Sequence, residues 1–105
     1  MGLFSFFRND NKNVLNALQN GAYIIDVRSP HEYDKGKLPN SVNIPLEKIA
    51  AQADRLVDMN RPIICCSASG NRSKKAVKIL KAKGKKDVYN GSTWRNVFIQ
   101  MKKLM

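Results

Sequence analysis

The sequence has little of what several classes of protein require. It contains 105 residues with one histidine and two cysteines, and the cysteines, Cys65 and Cys66, are neighbours in the chain. Neighbouring cysteines do not form a disulfide framework, so a reducing cytoplasm is the expected compartment. No apolar run approaches the ~20 residues that span a membrane, and no acids at ligand spacing surround the histidine. We therefore expect no membrane span, no metal site and no cofactor.

The length suits one domain, residues 1–105. A domain of this size buries roughly two-thirds of the surface of its unfolded chain, which is enough for a core without disulfides. The core is expected over residues 12–105. Residues 1–11 are interpreted as an N-terminal extension, whose apolar run is too short for a secretion signal and is predicted to pack on the domain.

Acidic residues are scarce in the second half of the chain. Residues 59–105 hold twelve lysines and arginines and one acid, Asp87, and they account for the whole net charge of +11. This excess is either a solvated lysine face or a field that attracts small anions such as thiosulfate, or an acidic partner. No RNA-binding motif or aromatic stacking platform accompanies it, so no nucleic-acid partner is expected.

Strand-like and helix-like patterns alternate along the chain, which predicts a parallel sheet with helices on both faces. Ser29, Pro30 and Glu32 form the capping box of a short helix that Gly36 ends. The other helices are predicted over residues 12–20, 46–57, 72–83 and 93–105. Strands are predicted over residues 22–27, 42–44, 63–66 and 87–90.

The most informative stretch runs from Pro62 to Ser73. A short apolar strand leads into a loop of small polar residues, and a lysine-rich helix follows. Gly70 can take a positive φ, so the loop can curl and point several backbone N–H groups at one spot beside the helix N-terminus. Such a cradle binds anions, and it lowers the pKa of a thiol placed in it by one to several units from about 8.5.

These residues resemble the active-site loop of the rhodanese family of sulfurtransferases, which reads Cys-x-x-Gly-x-Arg-Ser. Gly70, Arg72 and Ser73 fit that pattern, and position 67 is where the family carries its nucleophilic cysteine. The resemblance implies a rhodanese-like three-layer α/β fold, with a mostly parallel sheet of four to five short strands between helices.

A second stretch resembles the other signature of the family. It runs from Asp26-Val27-Arg28 through Glu32-Tyr33 to Asn43-Ile44-Pro45. Lys37 and Asn40 occupy positions where the family often has His and Gly, which are mild departures. With both stretches, the resemblance extends from residue 13 to residue 96, nearly the whole domain.

The resemblance implies a ping-pong sulfur transfer. A loop cysteine takes the outer sulfur from thiosulfate or a persulfide donor and passes it to a nucleophilic acceptor, which includes a thiol or a persulfide-carrying partner protein. Arg72 would hold the loop or the donor's sulfonate. The loop residues that would offer backbone N–H groups to the anionic sulfur are Ala68, Ser69, Gly70, Asn71 and Ser73.

Ser67 departs from the family at the decisive position. A serine hydroxyl is not ionised near neutral pH and cannot carry a persulfide. We therefore expect a sulfurtransferase-type enzyme that is silenced as written. The departure also supports a non-catalytic module that holds an anion or an acidic partner in the same cradle.

Cys66 offers an alternative nucleophile. From Cys66, five residues lead to Arg72, which is the spacing of cysteine-dependent phosphatases and arsenate reductase-like enzymes. This alternative requires a strand one residue shorter and a loop one residue longer. Cys65 is interpreted as a small apolar strand residue, and Cys66 should point to the opposite face of the sheet.

Two further residues are candidates for supporting roles. Asp26 lies at the carboxyl end of a predicted strand, where open α/β sheets bind ligands, and Arg28 follows it. Both are expected to fix strand ends and loops rather than to touch a substrate, and the alternative is that Arg28 lines the mouth of the site. His31, in the first turn of a short helix, is interpreted as an exposed surface residue.

Overall fold

The structure is a computed structural model that describes the backbone of residues 2–105 and the side chains of residues 11–105. The predicted packing of the apolar side chains in the N-terminal extension lies outside the described residues. Over the described backbone, helices and strands alternate. The helices are α1 (Gly2–Gln19), α2 (Pro30–Lys35), α3 (Leu46–Val57), α4 (Asn71–Ala82) and α5 (Trp94–Lys102). The strands are β1 (Tyr23–Asp26), β2 (Ser41–Asn43), β3 (Ile63–Ser67) and β4 (Val88–Thr93).

The four strands form one parallel sheet in the order β2-β1-β3-β4, which confirms the predicted α/β fold. Two apolar clusters pack on its opposite faces. Helices α3 and α4 bury Ile49, Leu56 and Leu80 in one cluster, whereas α1 and α5 bury Val14 and Val97 in the other. The molecule therefore has three layers, and the carboxyl ends of the parallel strands lie along one edge, where ligands bind in folds of this class.

Most element boundaries lie within a residue or two of those predicted. Helix α3 spans residues 46–57 as expected, and the capping box of α2 is present, with Ser29 Oγ accepting from the Glu32 N–H at 3.2 Å. Helix α1 is the main exception, because it begins at Gly2 and not at residue 12. Residues 3–19 contain no glycine or proline to stop it. No helix within the described residues is long and apolar enough to cross a bilayer.

Strand β4 is longer than predicted because it contains a bulge beside the carboxyl end of β3. Cys65 pairs with Asn90 but Cys66 pairs with Ser92, so Gly91 is the extra residue. A Cβ at Gly91 would lie 2.5 Å from Val97 Cγ2 and 2.8 Å from Ile64 Cγ2. Only glycine fits there, and the bulge turns the end of β4 toward the loop that follows β3.

The lysine-rich segment after the loop contains both exposed lysines and one buried lysine. Lys74, Lys75, Lys78 and Lys81 are exposed on α4. Lys85 is buried, and its ammonium group donates to the carbonyls of Met59 at 2.7 Å and Arg61 at 2.8 Å. It also lies 3.0 Å from Asp87 Oδ1. Lys85 therefore fixes the turn that leads into β3, and it is not one of the exposed lysines.

Lys85→Met is expected to lower the free energy of unfolding by about 2 kcal/mol, because two partly buried carbonyls lose their donor. Lys86→Met is the matched control, since it removes the same charge from the neighbouring exposed position and should change stability by less than about 0.5 kcal/mol. Urea denaturation of both variants measures the difference. Equal losses would show that only net charge matters at these positions.

Candidate functional site

Ser67 is the last residue of β3, and its side chain lies fully buried beneath the loop. Its Oγ accepts hydrogen bonds from the backbone N–H groups of Gly70 at 3.0 Å and Ser73 at 3.2 Å. These donors come from the loop and from the first turn of α4, so the positive end of the helix dipole points at the same atom. Position 67 is thus the focus of the cradle that the sequence predicts.

The loop closes over this point through Gly70, which precedes α4 with a φ of +91°. A Cβ there would meet Ser92 Oγ at 2.9 Å, and the left-handed conformation itself favours glycine. Ala68 and Ser69 are exposed at the top of the loop, and Asn71 is exposed at the start of α4. The loop therefore presents its outer face to solvent and its N–H groups inward.

A chain of side-chain hydrogen bonds continues below the loop. The Ser67 hydroxyl donates to Ser73 Oγ at 3.1 Å, and the Ser73 hydroxyl lies 2.7 Å from its nearest acceptor, Asn90 Oδ1. The backbone N–H of Ser92 also donates to Asn90 Oδ1, at 2.8 Å. Asn90 was missed by sequence reasoning, although its place at the end of a parallel strand was a usable signal.

Cys66 does not lie in the loop. It is fully buried in the apolar cluster beneath α1 and α5, whereas Cys65 is buried in the cluster on the opposite face, as strand alternation predicts. Burial, and then the nearby Asp26 carboxylate, raise the pKa of the Cys66 thiol, and burial raises the pKa of Cys65 to about 12. The shorter strand that the longer-loop alternative requires is not observed, because β3 extends through Ser67 and holds Cys66 inside the sheet.

Arg72 points away from the cradle and pairs with Glu32 of α2. Its two terminal nitrogens donate to the Glu32 carboxylate oxygens at 2.7 and 2.9 Å. The Glu32 carboxylate also accepts from the Ser29 N–H at 3.0 Å. Arg72 therefore connects the first turn of α4 to α2, and this pair lowers the pKa of Glu32 to about 2, with Arg72 as the largest cause.

Asp26 and Arg28 form a buried pair at the carboxyl end of β1. Arg28 Nη2 donates to Asp26 Oδ2 at 2.7 Å, and Arg28 Nε donates to both carboxylate oxygens. Arg28 also donates to the carbonyls of Glu32 and Gly36, at 3.3 and 2.7 Å. Both side chains thus fix the segment that carries α2. Within the described contacts, every guanidinium nitrogen of Arg28 donates a hydrogen bond and both carboxylate oxygens of Asp26 accept one.

A cleft of about 370 Å³ opens beside the loop. Trp94 lies in it, with the guanidinium carbons of Arg28 and Arg95 each 4.9 Å from a ring centroid. Trp94 and Arg95 follow β4 directly, and neither of them was assigned to the site from the sequence. His31 is exposed and does not line the cleft. The cleft is lined by Gly36 and by the side chains of Arg28, Glu32, Lys35, Ala68, Trp94 and Arg95.

Glu32→Gln is expected to lower the free energy of unfolding at pH 7 by up to about 1 kcal/mol, the range for a half-exposed ion pair. Glutamine keeps the helix cap but loses the charge. Since the folded pKa of Glu32 is depressed to about 2 from 4.5, the stability it adds is present above pH 4.5 and disappears as the pH falls toward 2.

Urea denaturation of both proteins between pH 7 and pH 2 measures this difference. Asp34→Asn, in the same helix at an exposed position, is the control and should change the free energy of unfolding at pH 7 by less than about 0.5 kcal/mol. A gap between the native chain and Glu32→Gln that persists at pH 2 would contradict the ion-pair assignment.

Comparison with known proteins relates most of the chain to one family. Residues 10–92 match the rhodanese-like domain. The thiosulfate sulfurtransferase GlpE of Pseudomonas syringae pv. syringae is 30% identical over 86 residues, which cover 78% of this chain and 80% of that protein. The putative sulfur carrier protein YrkF of Bacillus subtilis is 39% identical over 67 residues, which cover 64% of this chain. The match spans 36% of YrkF, about a third of its length.

Solved structures show the same fold. A rhodanese with anions from E. coli superposes with a TM-score of 0.66 at 26% identity, over 72% of this chain and 91% of that one. A rhodanese-like domain protein from Staphylococcus aureus superposes with a TM-score of 0.67 at 27% identity, over 83% and 86% of the two chains. Because the family match covers well over half of the residues, the chain belongs to the rhodanese-like domain family.

Proposed function

We propose that this protein is a rhodanese-like domain of the sulfurtransferase type that binds a small anionic sulfur compound in its loop and that Ser67 silences its sulfur transfer. The observation that carries the proposal is the position of Ser67 Oγ, on which the N–H groups of Gly70 and Ser73 converge. A nucleophile at that atom would be stabilised as an anion by both donors and by the N-terminus of α4.

The chemistry of the first half-reaction explains why serine silences it. A thiolate at position 67 attacks the outer sulfur of thiosulfate, the S–S bond breaks, sulfite leaves, and the thiol keeps one extra sulfur as a persulfide. A serine hydroxyl holds its proton near neutral pH, and oxygen does not form the corresponding stable persulfide. Loop geometry is then retained without the atom that carries the sulfur.

The relatives support anionic sulfur compounds as ligands. The Pseudomonas relative is named a thiosulfate sulfurtransferase, and the E. coli structure is described as a rhodanese with anions. We extend both properties to this chain. The backbone of Ala68, Ser69, Gly70, Asn71 and Ser73 would bind the anion. Arg72, held by Glu32, would fix the loop rather than contact the donor's sulfonate.

A non-catalytic module is the second candidate, and Ser67 itself favours it. In this function the cradle holds an anion or an acidic partner without forming a bond to sulfur. A persulfide-carrying protein is a suitable partner, since one relative is named a putative sulfur carrier. Two free, buried thiols suit a reducing compartment such as the cytoplasm for either function.

Ser67→Cys is expected to gain one sulfur atom on incubation with thiosulfate, whereas the unmodified chain gains none. The reason is that only the variant places a thiol where the loop N–H groups converge. Intact mass under non-reducing conditions measures the gain, and addition of cyanide should remove it by forming thiocyanate.

Two controls separate the possible outcomes. The double variant Ser67→Cys, Cys66→Ala should still gain the sulfur, because Cys66 is buried in the core. A gain by the unmodified chain that Cys66→Ala abolishes would overturn the assignment of position 67. If Ser67→Cys is folded but gains nothing, the sulfurtransferase assignment fails and the binding module is preferred.

A further inference from the structure

The cleft beside the loop is larger than an inorganic sulfur anion requires. Its volume of about 370 Å³ lies at the lower end of the range for pockets that hold small organic ligands, about 300–1,000 Å³. Ala68 is the loop residue in its lining, so the cleft meets the loop at its exposed side. A molecule that reaches the loop with a sulfur atom thus has room for an organic body in this cleft.

Only some of the charged side chains that line the cleft have a partner of opposite charge among the described residues. Arg28 is paired with Asp26, and Glu32 is paired with Arg72. No carboxylate in the part of the chain whose side chains are described lies within 4.0 Å of Lys35 or Arg95. Among the described side chains, Lys35 and Arg95 are therefore two cations of the cleft that have no carboxylate partner.

Arg95 lies with its guanidinium against the ring of Trp94. Its guanidinium carbon lies 4.9 Å from the ring centroid, within the range of a cation–π contact. The Arg28 guanidinium carbon also lies 4.9 Å from the ring centroid, and the edge of the ring lies over Gly36. A planar guanidinium beside the ring is suited to bind a carboxylate through two parallel hydrogen bonds.

We infer that Arg95 is a specificity-determining residue that selects a small organic thiol bearing a carboxylate as the sulfur acceptor. The inference rests on the proposed function. In Ser67→Cys loaded with sulfur, the acceptor thiolate attacks the outer sulfur of the loop persulfide. The S–S bond breaks, the loop thiolate leaves, and the acceptor departs as its own persulfide, so no outside oxidant or reductant is needed. In the unmodified chain the same thiol binds without reacting.

The kinetic test compares mercaptosuccinate with thioglycerol, an uncharged thiol of similar size, as acceptors for sulfur-loaded Ser67→Cys. Adding Arg95→Ala should lower the ratio of kcat/KM for mercaptosuccinate over thioglycerol about fivefold, as expected for a half-exposed ion pair, with the loss in KM. Arg95→Lys should recover part of the ratio, because it keeps the charge but not the planar fork. Arg55→Ala, an exposed arginine of α3, should leave the ratio unchanged.

A binding test on the unmodified chain is independent of sulfur transfer. Trp94 is the sole tryptophan, so its indole N–H gives a single assigned NMR signal. Mercaptosuccinate should shift this signal at concentrations where thioglycerol does not, and Arg95→Ala should abolish the difference. Equal shifts by both thiols, or a selectivity ratio that Arg95→Ala leaves intact, would overturn the inference. If the unmodified chain binds mercaptosuccinate selectively but Ser67→Cys gains no sulfur from thiosulfate, the proposed function is wrong. Arg95 is then a carboxylate-binding residue without a role in sulfur transfer.

Discussion

The site depends on the tight turn by which the chain passes from β3 into α4. Gly70 makes that turn at a φ of +91°, and a Cβ there would lie 2.9 Å from Ser92 Oγ and 3.3 Å from Ser92 Cα. Ser92 itself has a φ of 68°, because the bulge in β4 brings it against the loop. With no side chain at position 70, the loop closes and its N–H groups meet at Ser67 Oγ. A larger residue would open the cradle, since the obstacle includes backbone.

The charged residues around the cradle divide into those that build it and those that remain available to a ligand. Asp26 and Arg28 form a buried ion pair, and Arg72 forms an ion pair with Glu32. Removing one member of the buried pair would leave an uncompensated charge, which costs more than the pair contributes. The positive character of the site therefore comes from the backbone donors of the loop and from cations at the cleft mouth, and not from the arginine of the loop motif.

Local patterns predicted the fold well because each strand and helix carries its own signal. The capping box at Ser29 and the spacing along α3 depend only on neighbours in the chain. The partner of Arg72 and the place of Asn90 could not be predicted, since each depends on which strand ends meet in space. The prediction began α1 at residue 12, whereas the helix begins at Gly2, because residues 3–19 contain no glycine or proline that would stop it.

The proton on Ser67 determines the direction of the hydrogen-bond chain below the loop. A hydroxyl at position 67 donates to Ser73 Oγ, which leaves the Ser73 hydroxyl free to donate to Asn90 Oδ1 at 2.7 Å. A thiolate at the same position has no proton to give, so Ser73 would have to turn its hydroxyl toward the sulfur. Asn90 would keep the Ser92 N–H as a donor and would not be left unsatisfied. The network thus accommodates either a neutral hydroxyl or an anion at position 67, which is why a serine is stable where the loop N–H groups converge.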